Sequence, residues 1–382
     1  MPIFAHRALR TTARGLIAAF FLLAFGRAEA QAIIKVNDNV NFKLGLLLQG
    51  QWDEQQVANS TNTATGGWQQ NMMVRRARII LGGQVAPNVF FYLDTENANL
   101  GKSTQTLTSG TTGVKAPTTG FNLLDAAGEW RIAKQFNIQF GEMIAPINRW
   151  ILSSSASTLM LDQSAYNVLP STALQNNTGR DTGFMARGFL ADDHLEYRSA
   201  FLSGFRQPGV KNTTRFTEWL QYDVFDTEVY ALPAYAGANF GNRKILALAG
   251  AYDTQGDYQL ESANMFLDLP TGFGSFQSTV VYQHIDGGKF ITSLPKEDTF
   301  EAEAGVFLKP LGIAPIIRYE QREYSDTVNK PKNEKRYVGG LNFYPYRKFE
   351  NNFNVKVWFS RVEPKVGLAT HEFTLQMQVF YF

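Results

Sequence analysis

The run MMVRRARIILGGQVAPNVFFYLDTEN, residues 72–97, reads as two strands and one tight turn, and the rule it shows recurs through most later segments. Along its first half Arg76, Arg78, Ile80 and Gln84 share one phase while Ala77, Ile79, Leu81 and Gly83 share the other, as side chains alternating across a sheet must. Ala86-Pro87-Asn88 makes the turn. In the second half Val89, Phe91, Leu93 and Thr95 oppose Phe90, Tyr92, Asp94 and Glu96, so charge is confined to one face. Such a hairpin suits a soluble sandwich with its apolar face inside or a membrane barrel with its apolar face outside. The rest of the chain decides between them.

At the N-terminus His6, Arg7, Arg10 and Arg14 precede an apolar run over residues 16–25 and a small-residue end, Ala28-Glu29-Ala30, the layout of a secretory signal peptide. The apolar run is about ten residues long, short of the roughly 20 that a spanning helix needs. Residues 1–30 are therefore expected to be removed near Ala30 or Ala32, leaving 31–382 as the mature domain. No later window is apolar for long enough to make a spanning helix, which leaves a soluble exported protein or an outer-membrane barrel. The absence of cysteine excludes disulfides and thiolate metal sites. A net charge of +2 argues against a nucleic-acid partner, and 30 Phe with 15 Tyr suit strands and membrane-water girdles.

Taken in order, residues 40–51 place Val40, Phe42, Leu44, Leu46 and Leu48 opposite Asn41, Lys43, Gly45 and Gln49, with Leu47 as the exception. Polar loops follow at 53–70 and 98–120. Between them and beyond, Leu124, Ala126, Gly128, Trp130 and Ile132 oppose Asp125, Ala127, Glu129 and Arg131, and Phe136, Ile138 and Phe140 oppose Asn137 and Gln139. Further strands are expected at 182–189, 195–204, 217–224, 245–252, 262–269, 276–285, 300–308, 314–322, 336–344, 353–360 and 373–382, for a total of about sixteen. Long and short connections alternate, as external loops and periplasmic turns of a barrel do. Two joints break the rule: 225–243 is long where a short turn is expected and 253–257 short where a loop is, so the count there is expected to be off.

A sandwich does not sort its loops by length on alternate ends; a barrel does. Strands of about ten residues, rising roughly 3.3 Å each and tilted about 40°, span roughly 25 Å, the height of an outer-membrane apolar band. The fold class is thus all-β: a transmembrane antiparallel barrel of about sixteen strands. A cationic side chain facing lipid at midplane costs roughly 2–4 kcal/mol, and this assigns Arg76, Arg78, Asp125, Arg131, Arg198, Glu301, Glu303, Arg318 and Glu320 to the lumen. Arg75, in the opposite phase, is expected at the rim. At the C-terminus the lipid-facing set is Phe373, Leu375, Met377, Val379 and Tyr381, and a bulge near Phe380 is expected to reconcile it with the terminal Phe382.

Three runs carry a family likeness: VRRARIILGGQVAPNVFFYLD at 74–94, IQFGEMIAPINRWILSSS at 138–155, and GRDTGFMARG at 179–188 followed by LEYRSAFLSGF. Together they resemble the phosphate-selective porin O and P family, in the family's order, over the N-terminal half; from Glu218 onward only the strand rhythm is shared. The resemblance implies a homotrimer of sixteen-stranded barrels in the outer membrane, arginines lining the pore, and a third external loop folded inward. Its surroundings would be membrane lipid and lipopolysaccharide, with the outer-membrane assembly machinery as a folding partner. Independently, the stretch between Met143 and Gly179 carries two apolar patches, Ile151-Leu152 and Leu159-Met160-Leu161, suited to packing against a barrel wall rather than to a free external loop.

Arg75, Arg76 and Arg78 are the leading functional candidates, because clustered guanidiniums offer bidentate donors to phosphate-like oxyanions and keep their charge at any working pH. Arg149, Arg180, Arg187 and Arg198 come next, and Arg131 and Lys43 add positive charge. The competing role for Arg75, Arg76 and Arg78 is structural, with some of them paired to Asp94, Asp125 or Glu129 across neighbouring strands. Asp94, Glu96, Asp125, Glu129, Glu301, Glu303 and Glu320 also make the lumen mixed in sign. No nucleophile, base and acid occur at an interpretable spacing, His194, His284 and His371 read as strand or loop residues, and nothing points to a cofactor. The pairs Gly82-Gly83 and Gly339-Gly340 mark bends or close packing within strands. The expected function is an outer-membrane porin for small hydrophilic anions, phosphate or polyphosphate favoured. A general or weakly selective porin, and a barrel sheath around a partner protein, remain open beside it.

Overall fold

A computed structural model describes residues 32–58, 65–100, 120–159, 162–174, 178–206, 211–229 and 234–382. The expected signal peptide lies outside the described residues. The chain forms β1 (Ala32–Asn37), β2 (Val40–Ala58), β3 (Thr65–Ala86), β4 (Val89–Leu100), β5 (Asn122–Ala133), β6 (Phe136–Ile144), β7 (Arg180–Leu190), β8 (Leu195–Leu202) and β9 (Arg215–Asp223). It continues through β10 (Ile245–Gln255), β11 (Tyr258–Thr271), β12 (Gly274–Asp286), β13 (Glu297–Leu308), β14 (Ile313–Tyr324), β15 (Glu334–Phe343), β16 (Phe353–Pro364) and β17 (Thr370–Tyr381). Two short helices, α1 (Arg149–Leu152) and α2 (Leu169–Ala173), lie in the connection between β6 and β7.

From β2 to β17 each strand pairs antiparallel with the next, and β17 returns to β2 in a register running from Glu372 opposite Gln55 to Tyr381 opposite Leu46. The sheet is therefore a closed barrel of 16 strands, which leaves no edge. The additional strand β1 pairs with Val40–Leu44 of β2 on the edge that β17 leaves free, and its Ile33, Ile34 and Val36 are exposed. It was not foreseen in the sequence.

Burial is inverted relative to a soluble protein. Along β2, Gln49, Asp53 and Gln55 are buried while Leu44, Leu46 and Leu48 are exposed; along β17, Thr374, Gln376 and Gln378 are buried while Met377 and Val379 are exposed. Phe184 and Ile317 are 65% and 68% exposed. In water such a surface would forgo most of the available hydrophobic stabilisation; against hydrocarbon it is the low-energy choice.

Several expectations are corrected. The polar stretch at 53–70 is largely strand: β2 has 19 residues and β3 has 22. At roughly 3.3 Å per residue and a 40° tilt β3 rises roughly 55 Å, about twice the apolar band, so its distal part stands clear of lipid and needs no apolar face. That is why alternation failed to reveal it. No bulge occurs at Phe380, since the β17–β2 register runs unbroken to Tyr381. Instead the inward phase itself turns aromatic at the base: Phe382 meets Tyr92 edge to face and lies under Lys43 Nζ at 4.3 Å. A Cβ on Gly45 would come within 2.4 Å of the Phe382 ring, so glycine is required there. Nor is the count off around 225–260: β9 and β10 are neighbours, and the long 224–244 connection is a real insertion at the short-turn end.

Candidate functional site

Two bulges flank β4 and reshape its neighbourhood. Opposite β2, Gln49 faces Arg76 and Gly50 faces Val74, leaving Arg75 as the extra residue; opposite β4, Thr95 faces Leu123 and Asp94 faces Asp125, leaving Leu124 extra. A bulge puts two consecutive side chains on one face. Arg75 and Arg76 are consequently both buried, as are Leu124 and Asp125. This overturns the expected rim position of Arg75 and the expected outward phase of Leu124, because strict alternation holds only along an unbroken ladder.

Arg75, Arg76 and Arg78 converge on carboxylates. Arg75 donates to Asp162 Oδ2 from Nε at 2.9 Å and from Nη2 at 2.6 Å, and to Asn99 Oδ1 at 3.3 Å. Arg76 donates from Nη2 to Asp162 Oδ1 at 2.5 Å and from Nη1 to Gln49 at 2.9 Å. Arg78 donates to Glu96 Oε1 from Nη2 at 2.6 Å and from Nε at 3.0 Å, and reaches Asp94 at 3.3 Å. Asp162 comes from the β6–β7 connection, and its carbonyl accepts from Arg318 Nη1 at 2.8 Å. Partial burial pushes its carboxyl up, but Arg75 and Arg76 outweigh this and hold it well below the usual carboxylate range.

The remaining cationic candidates have partners of their own outside these three arginines' carboxylates. Arg180 forks Asp125 at 3.2 and 3.1 Å, Arg187 donates to Glu129 at 2.9 Å, and Arg131 reaches the same Glu129 at 3.1 Å while lying 3.8 Å over the Phe90 ring. Arg198 donates to Glu196 at 2.9 Å, and Lys43 sits at the barrel base against Phe382. Arg149 belongs to α1 and pairs with Glu228 at 2.5 and 2.8 Å between the Tyr235 and Phe266 rings. Asp94 serves as an acceptor for Arg78. Of the pairings anticipated for Arg75, Arg76 and Arg78, the one with Asp94 is present through Arg78, whereas Asp125 and Glu129 take Arg180, Arg187 and Arg131 instead.

The same connection packs against the inward phase of much of the sheet. Ala145, Ile147, Ile151 and Leu174 form one apolar cluster with Met143 of β6, Met185, Ala200 and Leu202 of β7 and β8, Tyr258 and Leu260 of β11, and Ile285 of β12. Trp150 and Leu159 join a second with Phe307, Ile316, Val338 and Trp358. Leu159 of the second expected patch thus meets the wall; Met160 and Leu161 lie outside the described residues. Backbone oxygens complete the seating, with Thr158 accepting from Lys356 Nζ at 2.7 Å, Ala156 from Gln378 at 2.8 Å, and Leu159 from Asn342. From the other end the 224–244 connection meets it: Ser153 and Tyr235 form a parallel bridge, and Gly237 N donates to Ser157 Oγ at 2.8 Å.

The model of the family described as phosphate-selective porin O and P matches residues 42–200, the span that holds β2 to β8, the bulged arginines and the β6–β7 connection. Over that span, somewhat under half of its length, the chain resembles the phosphate-selective porin O and P family. It is an outer-membrane porin, a channel and not an enzyme. Solved porin structures share its fold at low identity. The outer membrane channel DcaP of Acinetobacter baumannii superposes with a TM-score of 0.56 at 10% identity, covering 91% of this chain and 99% of that one. An anion-selective porin from Comamonas acidovorans gives 0.54 at 9%, covering 90% and 100%. OmpT of Vibrio cholerae in a trimer form gives 0.52 at 8%, covering 90% and 100%. No curated protein matches the sequence.

Sequence reasoning missed three groups in this porin. Asp162 carried no signal, as a lone acid in a stretch read for its apolar patches. Arg215, buried and forked to Asp253 at 2.7 Å from both Nε and Nη2, stood just before a strand expected to start at Thr217. Lys356 sits alone in an otherwise apolar and polar alternation. Along β13 and β14, Glu301, Glu303 and Glu320 gather around Arg318 at 3.5–3.9 Å, so the interior of the porin is mixed in charge, as its sequence indicates.

Proposed function

We propose that this porin passes small hydrophilic oxyanions, phosphate favoured, through a lumen narrowed by an inward-folded connection at 145–178, and that it works as a homotrimer. The observation that carries the reading is the Asp162 carboxylate: two guanidiniums of one bulged strand already grip an oxyanion through three short charge-assisted bonds. Contacts from the 145–178 connection to the inward phases of β7, β8 and β11–β17 support its position inside the barrel, since side chains on so many walls of one closed sheet meet only within it. The trimer rests on likeness to relatives. Native mass measurement in detergent tests it, and a monomer would remove the assembly without touching the channel.

Replacing Arg76 and Arg78 together by Gln keeps length and hydrogen bonding while removing two charges. The anion-to-cation permeability ratio in planar bilayers is expected to fall with the barrel intact, most at low salt where screening is weakest. A ratio equal to the parent's at low salt would assign both arginines to wall neutralisation. One observation favours a second reading, a weakly selective general porin: each of the eight cationic candidates besides Lys43 makes an ion pair within the barrel, and Glu301, Glu303 and Glu320 face the same interior.

A further inference from the structure

Three guanidiniums, Arg75, Arg76 and Arg78, face three carboxylates, Asp162, Glu96 and Asp94, so the cluster is balanced at three against three. The three acids are not equivalent. Asp94 and Glu96 lie on β4, fixed in the ladder beside Arg78. Asp162 lies in a connection, and its side chain is 30% exposed while those of Arg75 and Arg76 are 11% and 8% exposed. Its carboxylate can therefore leave without breaking a strand pairing.

The segment bearing it has anchors of its own. The Asp162 carbonyl is held by Arg318, Thr158 by Lys356, Ala156 by Gln378, and Gln163 Nε2 donates to Trp150 O at 2.6 Å. Seating of the segment thus does not depend on the carboxylate alone. When the carboxylate is absent, Arg75 keeps only the neutral Asn99 among its hydrogen-bond acceptors, and Arg76 keeps Gln49 with Glu96 at 3.6 Å. Two guanidiniums aimed at one point, partly desolvated and short of one negative charge, make a site for a small doubly oxygenated anion.

We propose that Asp162 is a built-in occupant of an oxyanion site formed by Arg75 and Arg76, and that it sets the porin's selectivity by competing with permeant oxyanions such as inorganic phosphate for those two side chains. This deepens the anion reading above and rests on it. Asp162 is then a specificity-determining residue: while it is seated the cluster is neutral, and when it is displaced the cluster carries one net positive charge.

The test compares the parent porin with Asp162→Asn and Asp162→Glu in planar bilayers, with chloride as the carrier and inorganic phosphate added as the probe. In roughly 0.01 M salt, where the Debye length is about 30 Å, Asp162→Asn is expected to raise the anion-to-cation permeability ratio roughly threefold. Added phosphate is expected to reduce its chloride current at concentrations that leave the parent unaffected. Asp162→Glu, which keeps the charge, should behave as the parent, and Arg75→Gln with Arg76→Gln in the Asp162→Asn background should abolish the phosphate effect. The assignment is overturned if Asp162→Asn is no more phosphate-sensitive than the parent, including the case where its conductance rises without a change in selectivity, which marks Asp162 as an anchor only. It is also overturned if Asp162→Glu matches Asp162→Asn. A cation-selective parent contradicts the underlying anion reading instead, because the present assignment is read from the difference between parent and variant.

Discussion

Removal of residues 153–176 is expected to raise single-channel conductance several-fold. The deleted stretch supplies the carbonyls that accept from Lys356, Gln378 and Asn342, the Asp162 carboxylate, and Leu159 and Leu174 of the two apolar clusters. Among the described residues none of the ladder hydrogen bonds that close the barrel lies within it, because β6 ends at Ile144 and β7 starts at Arg180. The polar wall residues uncovered by the deletion gain water in exchange for their lost partners, so closure survives while the cross-section open to ions grows. Unchanged conductance in a heat-modifiable, correctly assembled barrel would place the segment outside the conducting path.

A second large effect is expected at Arg149. Its guanidinium joins the two connections that meet from opposite ends, donating to Glu228 and to Gln221 at 3.2 Å, and both charges are almost fully buried. Truncating one partner of a buried pair leaves an uncompensated charge and costs about 3–5 kcal/mol. For a chain of this length the unfolding entropy is roughly 0.7 kcal/mol/K, so Arg149→Met should lower the midpoint of heat modification by roughly 5 °C. Arg149→Met with Glu228→Met should recover most of that loss, since two apolar groups replace a balanced pair at little cost. A single variant as stable as the parent, or a double variant worse than the single, would show that the ion pair does not tie the connections together.

Much of this architecture was legible in the sequence because the lipid imposes period-two order wherever a strand crosses it. The alternation of Arg76, Arg78 and Ile80 against Ala77, Ile79 and Leu81 placed the inward phase correctly, and equivalent alternations located all sixteen barrel strands. What escaped has two physical sources. Where the sheet rises beyond the lipid, as over residues 67–71, polar residues fill both phases apart from Trp68 and no period remains to be read. At Arg75 and Leu124 one extra residue shifts the phase, and nothing local in the sequence marks a bulge; its consequence here is to bring two neighbouring arginines onto one face.

The site was legible in its residue types and only in part in its pairings. Clustered arginines announced oxyanion chemistry, and the acids of neighbouring strands announced their partners, because register follows from consecutive hairpins. The partner of Arg75 and Arg76 is Asp162, 87 and 86 residues away in the chain. Its place depends on how a non-ladder segment seats on several walls at once. The 224–244 connection escaped for the same reason: its length looked like a counting error until Tyr235 was seen beside Ser153 and Glu228 beside Arg149.

The reversal potential of the parent protein in a planar bilayer tests most directly the proposal that the arginine cluster of β3 makes this porin favour anions. Under a potassium chloride gradient in roughly 0.01 M salt, where screening is weakest, the account predicts a reversal potential of anion-selective sign, moving further in that direction for Asp162→Asn. A reversal potential of cation-selective sign in the parent would contradict it.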